Sequence, residues 1–272
     1  MRRLGAIMLA LVLPGLAIAR EIGPDALDSL PQVDVLVLGE VHDNPHHHAH
    51  QARAVRALNP VAMVFEMLQP AQIAALPTDL TDAEAVARAT QWQARGWPDF
   101  RMYHPIFMAA PDARIYAGDV PRDLVVTAVE EGAAAAFGAG AARFGLTDPL
   151  PEARQQEREA DLWAAHCHAM PREAMAGMVE AQRLRDAALA RAALLALRET
   201  GGPVAVITGV EHARTDFGVP ALIRLADPAV TVLSVGQMET VPDGRPPHDL
   251  WIVTDGVAAR GDPCATFGAT EG

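Results

Sequence analysis

Two short motifs of the form Gly-x-x-His stand out in the sequence. GEVH ends at His42 and GVEH ends at His212, and each follows an apolar run rich in β-branched residues. Glu40 lies inside the first motif, and Glu66 lies near the end of another apolar run. Imidazole and carboxylate groups together suit zinc and other divalent transition metals as ligands. These four residues could therefore bind a metal ion, or they could hold one another in a hydrogen-bonded network.

A run of histidines follows the first motif, at positions 46, 47, 48 and 50. The run begins after Pro45, and a proline is favoured at the first position of a helix. Successive helical residues point about 100° apart, so at most two or three of these rings can face one site. His46 and His50 share a helix face, as a metal-binding pair would. Solvated histidines at a helix start are the simpler interpretation.

A second candidate site is the segment WPDFRMYHPIF, residues 97–107. Aromatic residues make up 5% of the chain, which has two tyrosines in all. This stretch nevertheless gathers Trp97, Phe100, Tyr103 and Phe107. A tyrosinate oxygen can ligate ferric haem, and apolar rings can cover the faces of the porphyrin. The alternative is that these rings seal the core and that Tyr103 hydrogen-bonds the backbone.

The elements that must position these residues alternate along the chain. Short apolar runs, typical of buried parallel strands, occur at 33–40, 61–67, 113–120, 203–212 and 230–236. Helical segments lie between several of them, so the sequence predicts an α/β fold with a mostly parallel central sheet flanked by helices. Ligands of such sheets collect beyond the carboxyl ends of the strands. We therefore expect His42 and His212 at one rim, provided that their strands are close in the sheet.

Residues 121–200 have a different character, rich in Ala, Arg and Glu with helical periodicity and no convincing strand. They predict a smaller helical subdomain. Residues 20–120 and 201–272 then form the α/β domain, and WIVTDG (251–256) is expected to be a late edge strand.

The first residues, 1–19, are typical of a secretory signal peptide. Two arginines precede an apolar run, and the small residues Ala17 and Ala19 stand where a signal peptidase would cut. A periplasmic or secreted location is expected. Since no cysteine stands at the cleavage point, lipid attachment there is not expected.

In an oxidising compartment the two cysteines, Cys167 and Cys264, are predicted to form a disulfide.

The charge balance argues against a nucleic-acid partner. The chain carries 34 acidic and 22 basic residues, a formal net charge of −12, which repels phosphate backbones. Every basic residue other than histidine is an arginine. Only arginines are therefore available to pair with anionic groups of a ligand.

The motifs GEVHDN, VFEM, WPDFRMYHPIF and GVEHARTDFGVP occur in this order, and with them the chain resembles the ChaN-like haem-binding lipoproteins from about Val33 to Cys264. The resemblance implies haem as the cofactor, a role in iron or haem uptake, a homodimer that encloses haem, and an outer-membrane haem uptake receptor as a partner. It also implies a tyrosine as iron ligand, matched by Tyr103, with a histidine contribution from the partner subunit of the dimer, for which His104 and His168 are the candidates.

A more distant resemblance, to the TraB and Tiki proteins and the erythromycin esterases, leaves a second function open. In the metalloproteases of that group, two Gly-x-x-His motifs and an acid form a metal site, which Glu40, His42, Glu66 and His212 match here. A metal-bound hydroxide could then attack an ester or amide, with Glu40 or Glu66 as general base. The alternative is thus a metal-dependent hydrolase, and whether the chain is an enzyme stays open. The lipid-bearing cysteine of the lipoproteins is absent, so membrane anchoring is not implied.

Overall fold

The centre of the molecule is a seven-stranded sheet in which all paired strands run parallel. The structure is a computed structural model, and it describes residues 19–262 and 264–265. The strand order is β1-β7-β6-β2-β5-β3-β4. The strands are β1 (Arg20–Glu21), β2 (Val35–Glu40), β3 (Ala62–Phe65), β4 (Arg114–Ala117), β5 (Val204–Gly209), β6 (Val232–Met238) and β7 (Leu250–Val253). The predicted α/β fold is confirmed. Apart from Ala19, the predicted signal peptide lies outside the described residues.

Helices cover both faces of this sheet. They are α1 (Pro45–Leu58), α2 (Pro70–Ala75), α3 (Ala83–Ala89), α4 (Phe100–Ala109), α5 (Arg122–Glu131), α6 (Ala133–Phe137), α7 (Glu152–Ala165), α8 (Met175–Thr200) and α9 (Val219–Ala226). Because side chains alternate along a strand, Val35 and Val37 pack with residues of α5, α6, α8 and α9, whereas Leu36 and Leu38 pack with α1 and α4. Every residue of β2 and β5 is buried. This explains why both sequences are apolar until the polar residues at their carboxyl ends.

The segment predicted as a helical subdomain contains α5 to α8. The longest of these helices, α8, packs buried alanines against the valines of the sheet, so this segment and the sheet share one hydrophobic core. The helix ends at Gly201, whose φ of +82° is the left-handed conformation common at helix ends. The division of the chain into two domains stays a prediction. None of the described helices is long and apolar enough to cross a membrane.

The C-terminal part differs from its prediction in one respect and agrees in another. β7 was predicted as an edge strand, but it lies between β6 and the two-residue β1, which no pattern indicated. Cys167 and Cys264 form a disulfide, as predicted, and this bond joins the C-terminal segment to the loop between α7 and α8.

Candidate functional site

The two Gly-x-x-His motifs lie side by side because β2 and β5 are neighbours in the sheet. Glu40, the last residue of β2, pairs in register with Gly209, the last residue of β5. His42 and His212 therefore both lie just beyond the carboxyl edge. Glu66 follows β3, the strand on the other side of β5, and joins them there. The structure thus brings together all four residues proposed from the sequence as a metal site.

The glycine of each motif makes room for the other motif. A Cβ added to Gly39 would lie 2.9 Å from Val210 Cα and 2.9 Å from Ala213 Cβ, both in or beside the second motif. A Cβ added to Gly209 would lie 3.1 Å from Nε2 of His42, in the first motif. The repeated glycine is thus explained by the close approach of two neighbouring strand ends.

Glu40 is the buried centre of one hydrogen-bonded group. Its Oε1 atom lies 2.8 Å from Nδ1 of His42 and accepts a 2.6 Å hydrogen bond from the Tyr103 hydroxyl. Burial alone would raise the pKa of Glu40, but His42 and the nearby His48 outweigh burial and hold the pKa at about 2. Burial would likewise lower the pKa of His42, yet the Glu40 hydrogen bond and the charge of Glu66 raise it to about 9. Glu40 is thus a carboxylate and His42 an imidazolium at neutral pH.

Glu66 and His212 form a second group with a residue of α8. Oε2 of Glu66 accepts hydrogen bonds from the Gly209 N–H at 2.6 Å and the Thr208 hydroxyl at 2.7 Å. Nδ1 of His212 lies 2.7 Å from Oδ1 of Asp186, which is 1% exposed. Burial opposes the charge on His212, but Glu66 and Asp186 outweigh it and raise the pKa of the imidazole. Each motif histidine is therefore fixed through Nδ1 by a buried carboxylate.

The two groups meet at Oε1 of Glu66. This atom lies 3.9 Å from Nε2 of His42 and 3.6 Å from Nε2 of His212. Across the described part of the chain, however, no group of three or more His, Cys, Asp or Glu side chains is placed to hold a metal ion. The geometry supports a network of carboxylates and histidines, and it gives no support to the predicted divalent metal.

The histidine run after the first motif has a structural role. Asn44 caps α1 by accepting a hydrogen bond from the His46 N–H at 2.9 Å. Nδ1 of the buried His47 accepts a hydrogen bond from the Val41 N–H at 2.8 Å, and Nε2 of the buried His48 donates to the His42 carbonyl at 2.8 Å. These two rings fix the loop that carries His42.

Within one chain the three predicted haem ligands lie apart, and their meeting across a dimer stays a prediction. Tyr103 is fully buried, and burial together with the charge of Glu40 raises the pKa of its hydroxyl far above the usual range. Nε2 of His104 lies 2.8 Å from the Leu80 carbonyl, and the exposed His168 packs against Trp163 beyond α7. Tyr103 stays a predicted ligand, but it would have to leave this core before it could reach iron.

A cavity of about 1220 Å³ opens above the network. Its floor is polar and includes Glu40, His42, Glu66 and His212. Its walls are apolar and include Trp97, Val120, Val125, Val126, Val129 and Leu189. Three arginines and three further acids also line it, namely Arg95, Arg122, Arg185, Asp119, Glu130 and Glu211. The cavity can accept a large, mainly apolar ligand that carries anionic groups.

Two parts of the site were missed by the sequence reasoning. In the sequence, Gln182, Arg185 and Asp186 occupy one region of a long helix, which favours a solvated or interhelical polar face. Asp186 is instead the buried partner of His212. Arg185 belongs to the same predicted polar face, whereas it lines the cavity. A usable signal was the position of Asp186 among the alanines of α8, because an acid within an otherwise apolar helix face needs a buried partner.

Fold and site together define an α/β protein with a large ligand cavity at the carboxyl edge of a parallel sheet. The chain belongs to the family described as haem-binding uptake, Tiki superfamily, ChaN, whose model matches residues 26–223. This match confirms the resemblance to ChaN.

Comparison with solved structures agrees on the fold. A structure reported as cofacial haem binding to ChaN of Campylobacter jejuni is similar over 83% of this chain and 89% of that chain, with a TM-score of 0.64 and 16% sequence identity. At this identity the likeness shows the fold alone. The type III effector HopBA1 matches with a TM-score of 0.44 and 13% identity over 86% of this chain and 92% of that chain, too weak a likeness to support an argument. No curated protein matches the sequence.

Proposed function

We propose that this protein binds haem in the cavity above the Gly-x-x-His network and takes part in haem or iron uptake outside the cytoplasm. The family description supports haem binding and uptake. The observation that carries the proposal is the make-up of the cavity, in which valines form a wall and arginines line the same space. A porphyrin needs apolar surface for its two faces and cations for its propionate groups.

The three arginines of the cavity differ in whether they already have a carboxylate partner within the protein. Arg95 already forms an ion pair with Asp119. Arg122 and Arg185 form no ion pair with any carboxylate that the structure describes, although the chain carries a net charge of −12. Arginine binds carboxylates through two parallel N–H groups, so these two side chains are suited to hold propionates.

Haem bound here would supply an iron that a side chain of the protein could ligate. In the described conformation the accessible candidate is His42, whose side chain is 36% exposed and lines the cavity. It would have to give up the proton that Glu40 and Glu66 now favour. Tyr103 offers the oxygen donor implied by the family, but it lies behind Glu40.

Export and dimerisation are parts of the same proposal. The signal-peptide pattern and the disulfide both favour an oxidising compartment outside the cytoplasm. Val126 and Val129, at 44% and 43% exposure, form an apolar strip that lines the cavity and that a second copy of the chain could cover when haem binds. An outer-membrane haem uptake receptor is the proposed partner.

Haemin titration tests the proposal. Purified protein should bind haemin saturably, with a shifted Soret absorption band. Arg185→Gln should weaken binding about tenfold, roughly the 1.4 kcal/mol expected from one charge-assisted hydrogen bond. Arg198→Gln, at an exposed arginine of the same helix that does not line the cavity, is the matched control and should bind like wild type.

The same preparation tests the hydrolase alternative. Elemental analysis should find no stoichiometric divalent metal, and ester and peptide substrates should not be turned over. Absence of saturable haemin binding would overturn the haem proposal. One equivalent of metal with turnover that His212→Ala abolishes would establish the hydrolase instead.

A further inference from the structure

A smaller cavity, of about 340 Å³, lies behind His212. It is formed by α7, α8 and the loop that follows β5, and it shares Gln182, Glu211 and His212 with the haem cavity proposed above. Its volume is at the lower end of the range for small-molecule sites, which is roughly 300–1,000 Å³. The apolar part of its lining comes from Leu162, Ala165 and Phe217. A ligand of a few carbon atoms would fit it.

The unusual feature of this cavity is a buried arginine. Arg158 is only 5% exposed, and its guanidinium carbon lies 4.1 Å from the centre of the Phe217 ring. Its nearest acid is Asp186, with 3.7 Å between Nη2 and Oδ2, which is too long for a hydrogen bond. No hydrogen bond joins its five donors to another described side chain or carbonyl group. Its long contact with Asp186 leaves the guanidinium donors open to the cavity, where a ligand with two acceptor oxygens would satisfy them.

The other charged groups of the cavity are already paired or solvated. Arg214 forms ion pairs with Asp216 at 3.0 Å and with Glu211 at 3.3 Å. Asp186 holds Nδ1 of His212 at 2.7 Å. Asp161 is exposed to solvent, where water and salt screen its charge. Arg158 therefore has the longer ion-pair distance of the two arginines in this cavity, 3.7 Å to an Asp186 that also holds His212, and it forms no hydrogen bond to that acid.

We propose that this cavity binds the carboxylate of a small organic acid, with Arg158 as its bidentate partner and Leu162, Ala165 and Phe217 against its carbon chain. The planar guanidinium matches a carboxylate in geometry, and its stacking on Phe217 holds it in one orientation.

Sodium butyrate is a suitable probe, titrated by calorimetry at constant ionic strength into haem-free protein. Arg158→Lys keeps a cation near Asp186 but removes the two parallel donors, and affinity should fall at least tenfold. Ala165→Leu fills the cavity from an exposed position without changing any charge, and affinity should fall equally. Arg154→Gln, one turn earlier on α7 and outside the cavity, should stay within twofold of wild type.

Two results would overturn the proposal. One is the absence of saturable butyrate binding to wild type. The other is equal affinity in wild type, Arg158→Lys and Ala165→Leu. Because Ala165→Leu leaves the buried charges intact, the test holds even if the arginine variant fails to fold.

The carboxylate could be a free acid or a haem propionate that reaches in from the larger cavity. If it is a propionate, haemin should compete with butyrate, and haemin dimethyl ester should not. If it is a free acid, butyrate and haemin should bind together. Haemin binding is followed separately by its absorption, so a failure of the haem proposal would not be mistaken for a failure of this site.

Discussion

Tyr103 and His42 share a single oxygen atom, Oε1 of Glu40, at 2.6 Å and 2.8 Å. The phenol donates from the buried side of the sheet edge, and the imidazole approaches from the cavity side. Glu40 cannot turn without breaking one of these contacts. The tyrosine therefore orients His42 through Glu40, whether or not it ever binds iron.

Replacing Tyr103 by Phe removes this hydroxyl and keeps the ring. Because a buried carboxylate then loses one donor, the free energy of unfolding should fall by about 1–3 kcal/mol in urea denaturation. Haemin affinity should change little, since the hydroxyl is closed to the cavity. Tyr116→Phe is the matched control. Its hydroxyl donates to the partly exposed Glu199, so its loss should cost less than about 1 kcal/mol.

The predicted ligation of Tyr103 demands the opposite outcome. In that case Tyr103→Phe would abolish the tyrosinate charge-transfer band of the haemin complex and most of the affinity, with little effect on stability. The two measurements together therefore decide between an orienting residue and an iron ligand.

Much of the fold could be predicted because the strands are buried on both faces. A strand such as β5 reads as a continuous apolar run, and its polar residues begin where the strand ends, which is why Glu40, His42, Glu66 and His212 were found together. The strand order could not be predicted, because the pairing of β2 with β5 joins residues far apart in the chain. β1 was missed because two residues carry no periodic pattern.

Gly39→Ala tests whether the two motifs require close approach. The new Cβ would lie 2.9 Å from the backbone Cα of Val210, which cannot move away as a flexible side chain could. Overpacking of this kind should lower the free energy of unfolding by about 1–3 kcal/mol, measured by chemical denaturation. Gly23→Ala is the control, because a Cβ there meets nothing within 4 Å and φ is −80°. Equal stability of the two variants would contradict the explanation.

The disulfide should stabilise the protein measurably. Cys167 and Cys264 are 97 residues apart in the sequence, so their bond restricts a long loop in the unfolded chain. The double variant Cys167→Ser and Cys264→Ser should lose about 2–4 kcal/mol of unfolding free energy. Mass spectrometry after alkylation without reductant should find no free thiol in wild type, and two alkylated cysteines would exclude the bond.

The parts of the site that escaped prediction depend on contacts between distant segments. Asp186 and Arg158 lie on α8 and α7, in sequences that read as ordinary amphipathic helices. The roles of these two residues are seen only in the folded protein, where α8 packs against the sheet beside the second motif. The alanines around Asp186 indicate that this acid needs a buried partner, but no local pattern identifies the partner as His212, so the tertiary arrangement decides.

His248 should make the protein less stable in mild acid. Its ring is 4% exposed and packs on Gly236, where an added Cβ would clash with the ring. Nδ1 lies 3.2 Å from the Ala213 carbonyl, to which a neutral ring can donate. Burial lowers the pKa of this histidine to about 4, because the charged form would lose its hydration.

Since that pKa lies below the value of about 6.5 in an unfolded chain, the unfolded state takes up the proton first as the pH falls. The contribution of His248 to stability is therefore complete above about pH 6.5 and is lost progressively down to about pH 4. Between pH 7 and pH 5 the loss should be about 2 kcal/mol.

His248→Asn cannot titrate, so its unfolding free energy should fall by about 2 kcal/mol less than that of wild type over this interval. His46→Asn, at an exposed position on α1, is the control and should follow wild type. Parallel curves for wild type and His248→Asn would show that the buried ring is not the acid-sensitive group.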